Sequence, residues 1–211
     1  MLPVAPLGVA RGGSHLPKIV VGHHGTRREY ADRILGGDPL RARQNNHDWL
    51  GTGIYFWQDG EQRARVWARA TSRSDGAEPA VIAADVDLDG CLDLFDLRDY
   101  RTLLRLYREF ERLDGLDSVI QAGLVVVEGR QYTTADPVSD PLTRQPILNK
   151  RDSVFIDWAV RVLGHGGRTV RTVRGAFISG HALFPESFLF DWSHAQISVI
   201  DPSVITNVRE V

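Results

Sequence analysis

The chain has 211 residues, 43% of them hydrophobic, which is enough for one domain with a sizeable buried core. Its formal net charge of −2 gives no overall basic field and so does not favour nucleic acid or an anionic membrane as a partner, although a local basic patch stays open. The single cysteine, Cys91, excludes an internal disulfide, and no apolar run reaches the roughly 18 residues of a membrane span, so we expect a cytoplasmic protein.

The first elements are a tail, a strand and a helix. Residues 1–16 are rich in Pro and Gly and predict a flexible tail without the pattern of a secretory signal. We expect residues 17–211 to form one domain. It begins with "KIVVGHH", a buried strand, and "TRREYADRILGG", a helix with a capping box of Thr26 and Glu29 that ends at Gly36-Gly37.

A second strand and helix follow a polar loop. The aromatic run "GIYFW" predicts a strand, and "EQRARVWARATSR" predicts a helix that Asp59 and Gln62 cap. The apolar side of this helix is expected to comprise Val66, Trp67 and Ala70.

The rest of the chain continues this mixture of strands and helices. The patterns predict strands at 79–88, 172–179 and 194–200, helices at 100–113 and 153–164, and a short tail after residue 200. The whole is expected to be a single α+β domain of mainly antiparallel strands with flanking helices and a helical insertion.

The common catalytic and metal-binding motifs are missing from the sequence. It has no G-x-S-x-G, no G-x-x-x-x-G-K-[ST], no H-E-x-x-H and no C-x-x-C. His23 and His24 are adjacent on a predicted strand, so their side chains leave opposite faces and cannot readily bind one metal together. We expect no metal centre.

The end of the first strand, His24-Gly25-Thr26, is a candidate binding motif. Because Gly25 has no side chain, a planar ligand could approach its backbone N–H and C=O. A His-Gly-Thr run could equally be an ordinary structural turn. Tyr55 follows His24 by 31 residues, and alternation along its strand sends Tyr55 and Trp57 to one face and Phe56 to the other.

The order His-Gly-Thr and then Gly-Thr-Gly-Ile-Tyr-Phe resembles the poly(ADP-ribose) polymerase-like ADP-ribosyltransferases. The resemblance implies that family's fold and NAD as substrate. It implies that His24 bonds the adenosine ribose, that the backbone of Gly25, with Thr26 next to it, holds the nicotinamide amide, and that Tyr55 stacks on nicotinamide. An amide-bearing flat ring also suits bare backbone and an aromatic face on physical grounds.

The family carries a third element, often glutamate, at the start of a late Glu-Tyr-x-Val-Tyr-Asp strand. Here "HAQISVIDP" places Gln196 at that position, which gives the triad His24, Tyr55 and Gln196. Glutamine carries no charge and cannot act as a general base, so we expect single transfer rather than chain elongation, with His194 as one possible base. Gln196 could also be only an outward residue of its strand.

Further candidates are less specific. The resemblance lets Trp67 wall the nicotinamide pocket and Arg63 meet the pyrophosphate, but both could equally be structural. The loop "SGHALFPESFLFDWS" (179–193) is rich in aromatic residues, which suit stacking on a base, binding a protein, or packing on the sheet. Arginines at 168, 171 and 174 could assist an anionic target or be solvated.

The resemblance therefore implies an NAD-dependent mono-ADP-ribosyltransferase that modifies a macromolecular acceptor, either protein or nucleic acid, and releases nicotinamide. It is compatible with a bacterial toxin, effector or defence protein, for which an antitoxin or immunity protein would be a partner. Two alternatives stay open: an NAD glycohydrolase, with water as acceptor, and a non-catalytic protein that binds ADP-ribose or a partner.

Overall fold

The computed structural model describes residues 18–42, 48–73, 76–112, 124–127, 130–133, 138–139, 146–147 and 150–211. The predicted tail at 1–16 and most of the segment 113–149 lie outside these residues. In the described chain the strands are β1 (Ile19–Arg27), β2 (Ile54–Gln58), β3 (Pro79–Asp87), β4 (Cys91–Asp93), β5 (Leu124–Val127), β6 (Arg130–Thr133), β7 (Val138–Ser139), β8 (Pro146–Ile147), β9 (Thr172–Phe177), β10 (His194–Val199) and β11 (Ile205–Glu210). The helices are α1 (Arg28–Leu35), α2 (Glu61–Ser72), α3 (Leu97–Phe110), α4 (Lys150–His165) and a 3-10 turn at Pro202–Val204.

A mixed seven-stranded sheet in the order β11-β3-β1-β2-β10-β9-β4 organises the domain. All neighbours pair antiparallel except β4 and β9, which are parallel. Two small ribbons, β5-β6 and β7-β8, stand apart from this sheet. The prediction of a single α+β domain with mainly antiparallel strands is confirmed.

Both faces of the sheet are covered by apolar side chains. On the face of Phe56, which is fully buried, the core comprises Ile54, Ala84, Val86, Ile197 and Val199. On the other face, side chains of α3, α4, β4, β9 and the turn before β2 form a second core of Leu50, Leu92, Leu103, Ile156, Ala159, Leu163 and Val173. Burial on both sides explains why β3 reads as a nearly continuous apolar run.

The two predicted capping boxes are wrong. Thr26 lies inside β1, opposite Ala80, and α1 starts only at Arg28 without a side-chain cap. Asp59 adopts φ 50° in the turn before α2, where its N–H donates to the carbonyl of Val21 over 2.9 Å. Pairing within the sheet therefore outweighs local capping at both positions. The predicted end of α1 is confirmed, since Gly37 adopts φ 105° directly after it.

The face of α2 that packs on the sheet differs from the prediction. Its buried residues are Ala64, Ala68 and Ser72, while Val66, Trp67 and Ala70 are only partly buried. The helix backbone comes so close to β1 that a Cβ added at Gly25 would collide with the carbonyl oxygen of Ala64. Only small residues fit such a contact, so residue size rather than hydrophobicity selects the buried face.

Two strands of the seven-stranded sheet were not predicted, and neither were the ribbons β5-β6 and β7-β8. The expected C-terminal tail forms β11, an edge strand paired with β3, where Asn207 and Arg209 both bond the Asp85 carboxylate. The other is β4, which has only three residues. Among the described helices, none combines the length and apolar character needed to cross a membrane.

Candidate functional site

A cleft of about 840 Å³ opens where β1 and β2 separate. Its lining includes three residues that the sequence singled out from three distant segments: His24, Tyr55 and Gln196. The other predicted binding residues, Gly25, Thr26, Arg63 and Trp67, also line it. The structure thus brings the whole predicted set to one cleft.

The backbone of Gly25 faces this opening. Along β1 the even-numbered residues bond β3, as the N–H of Arg28 donates to Glu78 O over 2.8 Å. Odd-numbered residues therefore direct N–H and C=O toward β2, as Val21 does to the N–H of Asp59. The described β1–β2 pairing ends at His23–Trp57, two residues before Gly25. Beyond that point, the donor and acceptor of Gly25 are directed into the gap between the strands.

His24, and not His23, is the histidine of the cleft. Its Nδ1 lies 2.8 Å from the carbonyl oxygen of Tyr55, and because a carbonyl only accepts, Nδ1 carries the proton. Burial lowers the pKa of His24, and the bond to Tyr55 only partly offsets this. The ring is therefore neutral near pH 7, which leaves Nε2 as an acceptor for a ligand hydroxyl. His23 pairs across from Trp57, is only 8% exposed and does not line the cleft.

Tyr55 is held through its hydroxyl group. The hydroxyl accepts from the N–H of Leu50 and donates to the carbonyl of Gly51, both over 2.8 Å. Burial first, and then the Asp48 carboxylate, raise the pKa of Tyr55 well above its ordinary value. The phenol stays protonated and is committed to these backbone bonds. What Tyr55 offers a ligand is the face of its ring.

Gln196 is oriented by an indole that sequence reasoning missed. Trp49 Nε1 donates to Gln196 Oε1 over 2.6 Å. An indole N–H can only donate, so the oxygen must face Trp49 and the carboxamide NH₂ is the group left for the cleft. Gln196 lies opposite Trp57 on β2, on the same sheet face as Tyr55. It is not merely an outward strand residue.

The turn at 48–53 is the part of the site that the sequence did not predict. It carries Trp49 and the buried Asp48, both of which line the cleft. A tryptophan and an aspartate at the end of a polar loop are a weak signal by themselves. A clearer one is Asp157, a lone carboxylate within the apolar run of α4, which bonds Thr52 of the same turn.

Arg63 and Trp67 each have a structural contact in addition to their place in the cleft. Arg63 donates to the carbonyls of Asp191 and Ser193 over 2.8 and 3.3 Å, and its guanidinium lies 4.5 Å from the ring centroid of Trp192. Trp67 packs on Trp57 with the ring centroids 5.7 Å apart. Arg63 therefore anchors the loop at 179–193, and its predicted contact with a pyrophosphate stays a prediction.

The aromatic residues of that loop divide into two groups. Phe188 is 94% exposed and Phe184 is 57% exposed, whereas Phe190 and Trp192 are half-buried. Trp192 lines the cleft together with His194, whose Nδ1 lies 2.8 Å from the carbonyl of Trp192. Two aromatics thus pack down and two project.

The nearby arginines are engaged in ion pairs. Arg168 pairs with Asp99, Arg171 with Asp201 and Arg174 with Asp93, at 2.7, 3.1 and 3.0 Å. These pairs tie the edge of the sheet to its neighbours. They give the three arginines structural partners, and a role toward an anionic target stays a prediction.

Within the described residues, no three side chains of His, Cys, Asp or Glu come together closely enough to hold a metal ion.

Comparisons with protein-family models, with curated proteins and with solved structures found no match for the chain. The candidate site therefore rests on its own geometry and chemistry.

Proposed function

We propose that the protein is an NAD-dependent mono-ADP-ribosyltransferase with an ADP-ribosyltransferase-like core. The observation that carries the proposal is the convergence in one cleft of the backbone of Gly25, the ring of Tyr55, Nε2 of His24 and the carboxamide of Gln196. These four groups match the needs of one ligand that has a flat amide-bearing ring, a ribose hydroxyl and a second ribose.

The nicotinamide ring would lie in the gap between β1 and β2. Its carboxamide can donate to the carbonyl of Gly25 and accept from the N–H, since both groups point into that gap. The ring of Tyr55, fixed by its bonded hydroxyl, offers the stacking face. His24 Nε2 accepts from a hydroxyl of the adenosine ribose.

In the reaction the bond between the ribose C1′ and the nicotinamide nitrogen breaks, and neutral nicotinamide leaves with the electron pair. A bond forms from C1′ to the acceptor, which loses a proton. The ribose is cationic at the transition state, and the NH₂ of Gln196 can hold a ribose oxygen in place but supplies no countercharge.

The carboxylate of Asp48 supports the proposal because it could supply that countercharge. Asp48 is 4% exposed, lines the cleft, and lies close enough to Tyr55 to raise its pKa. A buried negative charge stabilises a developing cation in the same cleft more strongly than it would in water. In this proposal Asp48 takes over part of the role of the glutamate that the family carries at the position of Gln196.

The acceptor is proposed to be a macromolecule. The cleft is continuous with the loop at 179–193 through Ser179 and Trp192, and the loop exposes Leu183, Phe184, Phe188 and Leu189. Such an apolar rim suits contact with a large partner better than with a small diffusing molecule.

The test is incubation of the protein with NAD labelled in the adenine, with and without a bacterial lysate. The transferase proposal expects a labelled macromolecule and release of nicotinamide, and both should fall with His24→Ala and with Gln196→Ala. Asp48→Asn should lower the turnover rate more than it lowers NAD affinity, whereas Asp38→Asn, at an exposed carboxylate of the same cleft, should change neither.

Other outcomes separate the alternatives. Free ADP-ribose without a labelled target identifies an NAD glycohydrolase. Binding of NAD or ADP-ribose without release of nicotinamide identifies a non-catalytic binder. No binding of either compound, measured by calorimetry with folded protein, refutes the proposal.

A further inference from the structure

Helix α4 contacts the turn at 48–53, which borders the cleft, through one carboxylate. Asp157 Oδ1 accepts from the backbone N–H of Thr52 over 2.7 Å, and Oδ2 accepts from the Thr52 hydroxyl over 2.9 Å. Gly51 adopts φ 76°, and a Cβ added there would lie 2.5 Å from Asp157 Oδ1. The turn can approach Asp157 this closely only because residue 51 is glycine.

The same turn also holds the two side chains, Tyr55 and Gln196, that line the cleft. The N–H of Leu50 and the carbonyl of Gly51 are the two partners of the Tyr55 hydroxyl. The preceding residue, Trp49, donates to Gln196. A movement of this turn would therefore shift both Tyr55 and Gln196.

The two bonds of Asp157 are not needed to attach α4 to the sheet. The helix is held by its own buried apolar residues, which are Val154, Ile156, Ala159 and Leu163. A carboxylate is a pure acceptor and matches the two donors of Thr52, whereas an asparagine would turn one NH₂ toward a donor. The carboxylate of Asp157 therefore fixes the turn at Thr52, and the apolar residues of α4 attach the helix.

We propose that Asp157 is a positioning residue for the nicotinamide end of the cleft. It fixes Thr52 and Gly51, and through this turn it sets the ring of Tyr55 and the indole that orients Gln196. The identity of the ligand rests on the proposed function, but the mechanical coupling from Asp157 to Tyr55 does not.

The first test measures binding to the folded chain by calorimetry, with nicotinamide, ADP-ribose and NAD as separate probes. Asp157→Asn should weaken nicotinamide and NAD by about tenfold, the size expected for a bond to a charged group. ADP-ribose has no ring to stack on Tyr55 and keeps only the ribose contact of Gln196, so its affinity should fall by a clearly smaller factor. The nicotinamide affinity of Thr52→Val, which loses only the hydroxyl bond, should lie between that of Asp157→Asn and that of the wild type. Thr52→Ser keeps the hydroxyl and should bind nicotinamide as the wild type does.

Asp99→Asn is the matched control. Asp99 accepts two bonds from Arg168 and, like Asp157, is partly buried, but it lies outside the turn at 48–53. This variant should lower thermal stability and leave all three affinities unchanged. Equal weakening of nicotinamide and ADP-ribose by Asp157→Asn would show a general structural effect and overturn the inference.

A second test does not depend on NAD. Hydrogen exchange at the amide of Leu50, which donates to Tyr55, should become about tenfold faster in Asp157→Asn and unchanged in Asp99→Asn. Faster exchange at Thr52 alone, with Leu50 unchanged, would overturn the coupling. If wild-type protein binds none of the three probes while Leu50 responds as expected, the proposed function fails and the positioning role stands.

Discussion

Replacing Trp49 with Phe removes the indole N–H that orients Gln196 and keeps an aromatic ring at that position. The lost bond, Trp49 Nε1 to Gln196 Oε1, is 2.6 Å long and only partly buried. The contact between Trp49 and Phe177, with ring centroids 5.5 Å apart, is largely retained. The substitution therefore tests orientation of the carboxamide more than packing.

The expected magnitude follows from the net strength of a neutral hydrogen bond, about 0.5–1.5 kcal/mol. Without the indole, the carboxamide of Gln196 can turn over and present its oxygen to the cleft. A loss of about 1 kcal/mol in the orientation that donates to ribose corresponds to about a fivefold fall in kcat/KM. The unfolding midpoint in urea should change little, because Gln196 is only half-buried.

The assay is a double-mutant cycle on nicotinamide release. Trp49→Phe should lower kcat/KM about fivefold in the wild-type chain and have almost no effect in a Gln196→Ala background, because its partner is then gone. If Trp49→Phe lowers the rate by the same factor in both backgrounds, Trp49 does not act through Gln196 and the reasoning is refuted.

Three further predictions concern single groups. Burial lowers the pKa of His24, so its contribution to the free energy of unfolding should be fully present above about pH 6.5, the ordinary pKa of His, and be lost as pH falls through the lower pKa of the folded state. His24→Gln, which can still donate to Tyr55, should make the thermal unfolding midpoint less dependent on pH in this range. Gly25→Ala should destabilise the chain by about 1–3 kcal/mol in urea unfolding, because the backbone of α2 occupies the space of the new Cβ. Gly164→Ala, which has open space around its Cβ, should be neutral or stabilising, and equal urea midpoints for the two variants would contradict the close contact between Gly25 and α2. Burial raises the pKa of Cys91 to about 11, so at pH 8 the native thiol should react with a disulfide reagent about 100-fold more slowly than in urea, and a fast native reaction would be contrary to this environment.

The alternation of buried and exposed residues let the sequence predict most strands and helices of the domain. Continuous apolar runs and aromatic strands identify β1, β2 and β3, and the Gly36-Gly37 pair correctly ends α1. The same local rules failed at Thr26 and Asp59, where sheet pairing took the residues that looked like caps. They also missed β4 and β11, since a three-residue strand and a polar edge strand carry no strong pattern.

The sequence also pointed to candidate site residues, because the resemblance of its two glycine-containing motifs and its late strand to a known family singles out His24, Tyr55 and Gln196. Only the tertiary structure decided that these groups share one cleft. The strands that carry Tyr55 and Gln196, β2 and β10, lie side by side in the sheet, although 135 residues lie between the end of β2 at Gln58 and the start of β10 at His194. It also decided which groups hold them. Trp49 and Asp157 act through contacts across the fold, and long-range contacts of this kind leave no periodic trace in the chain.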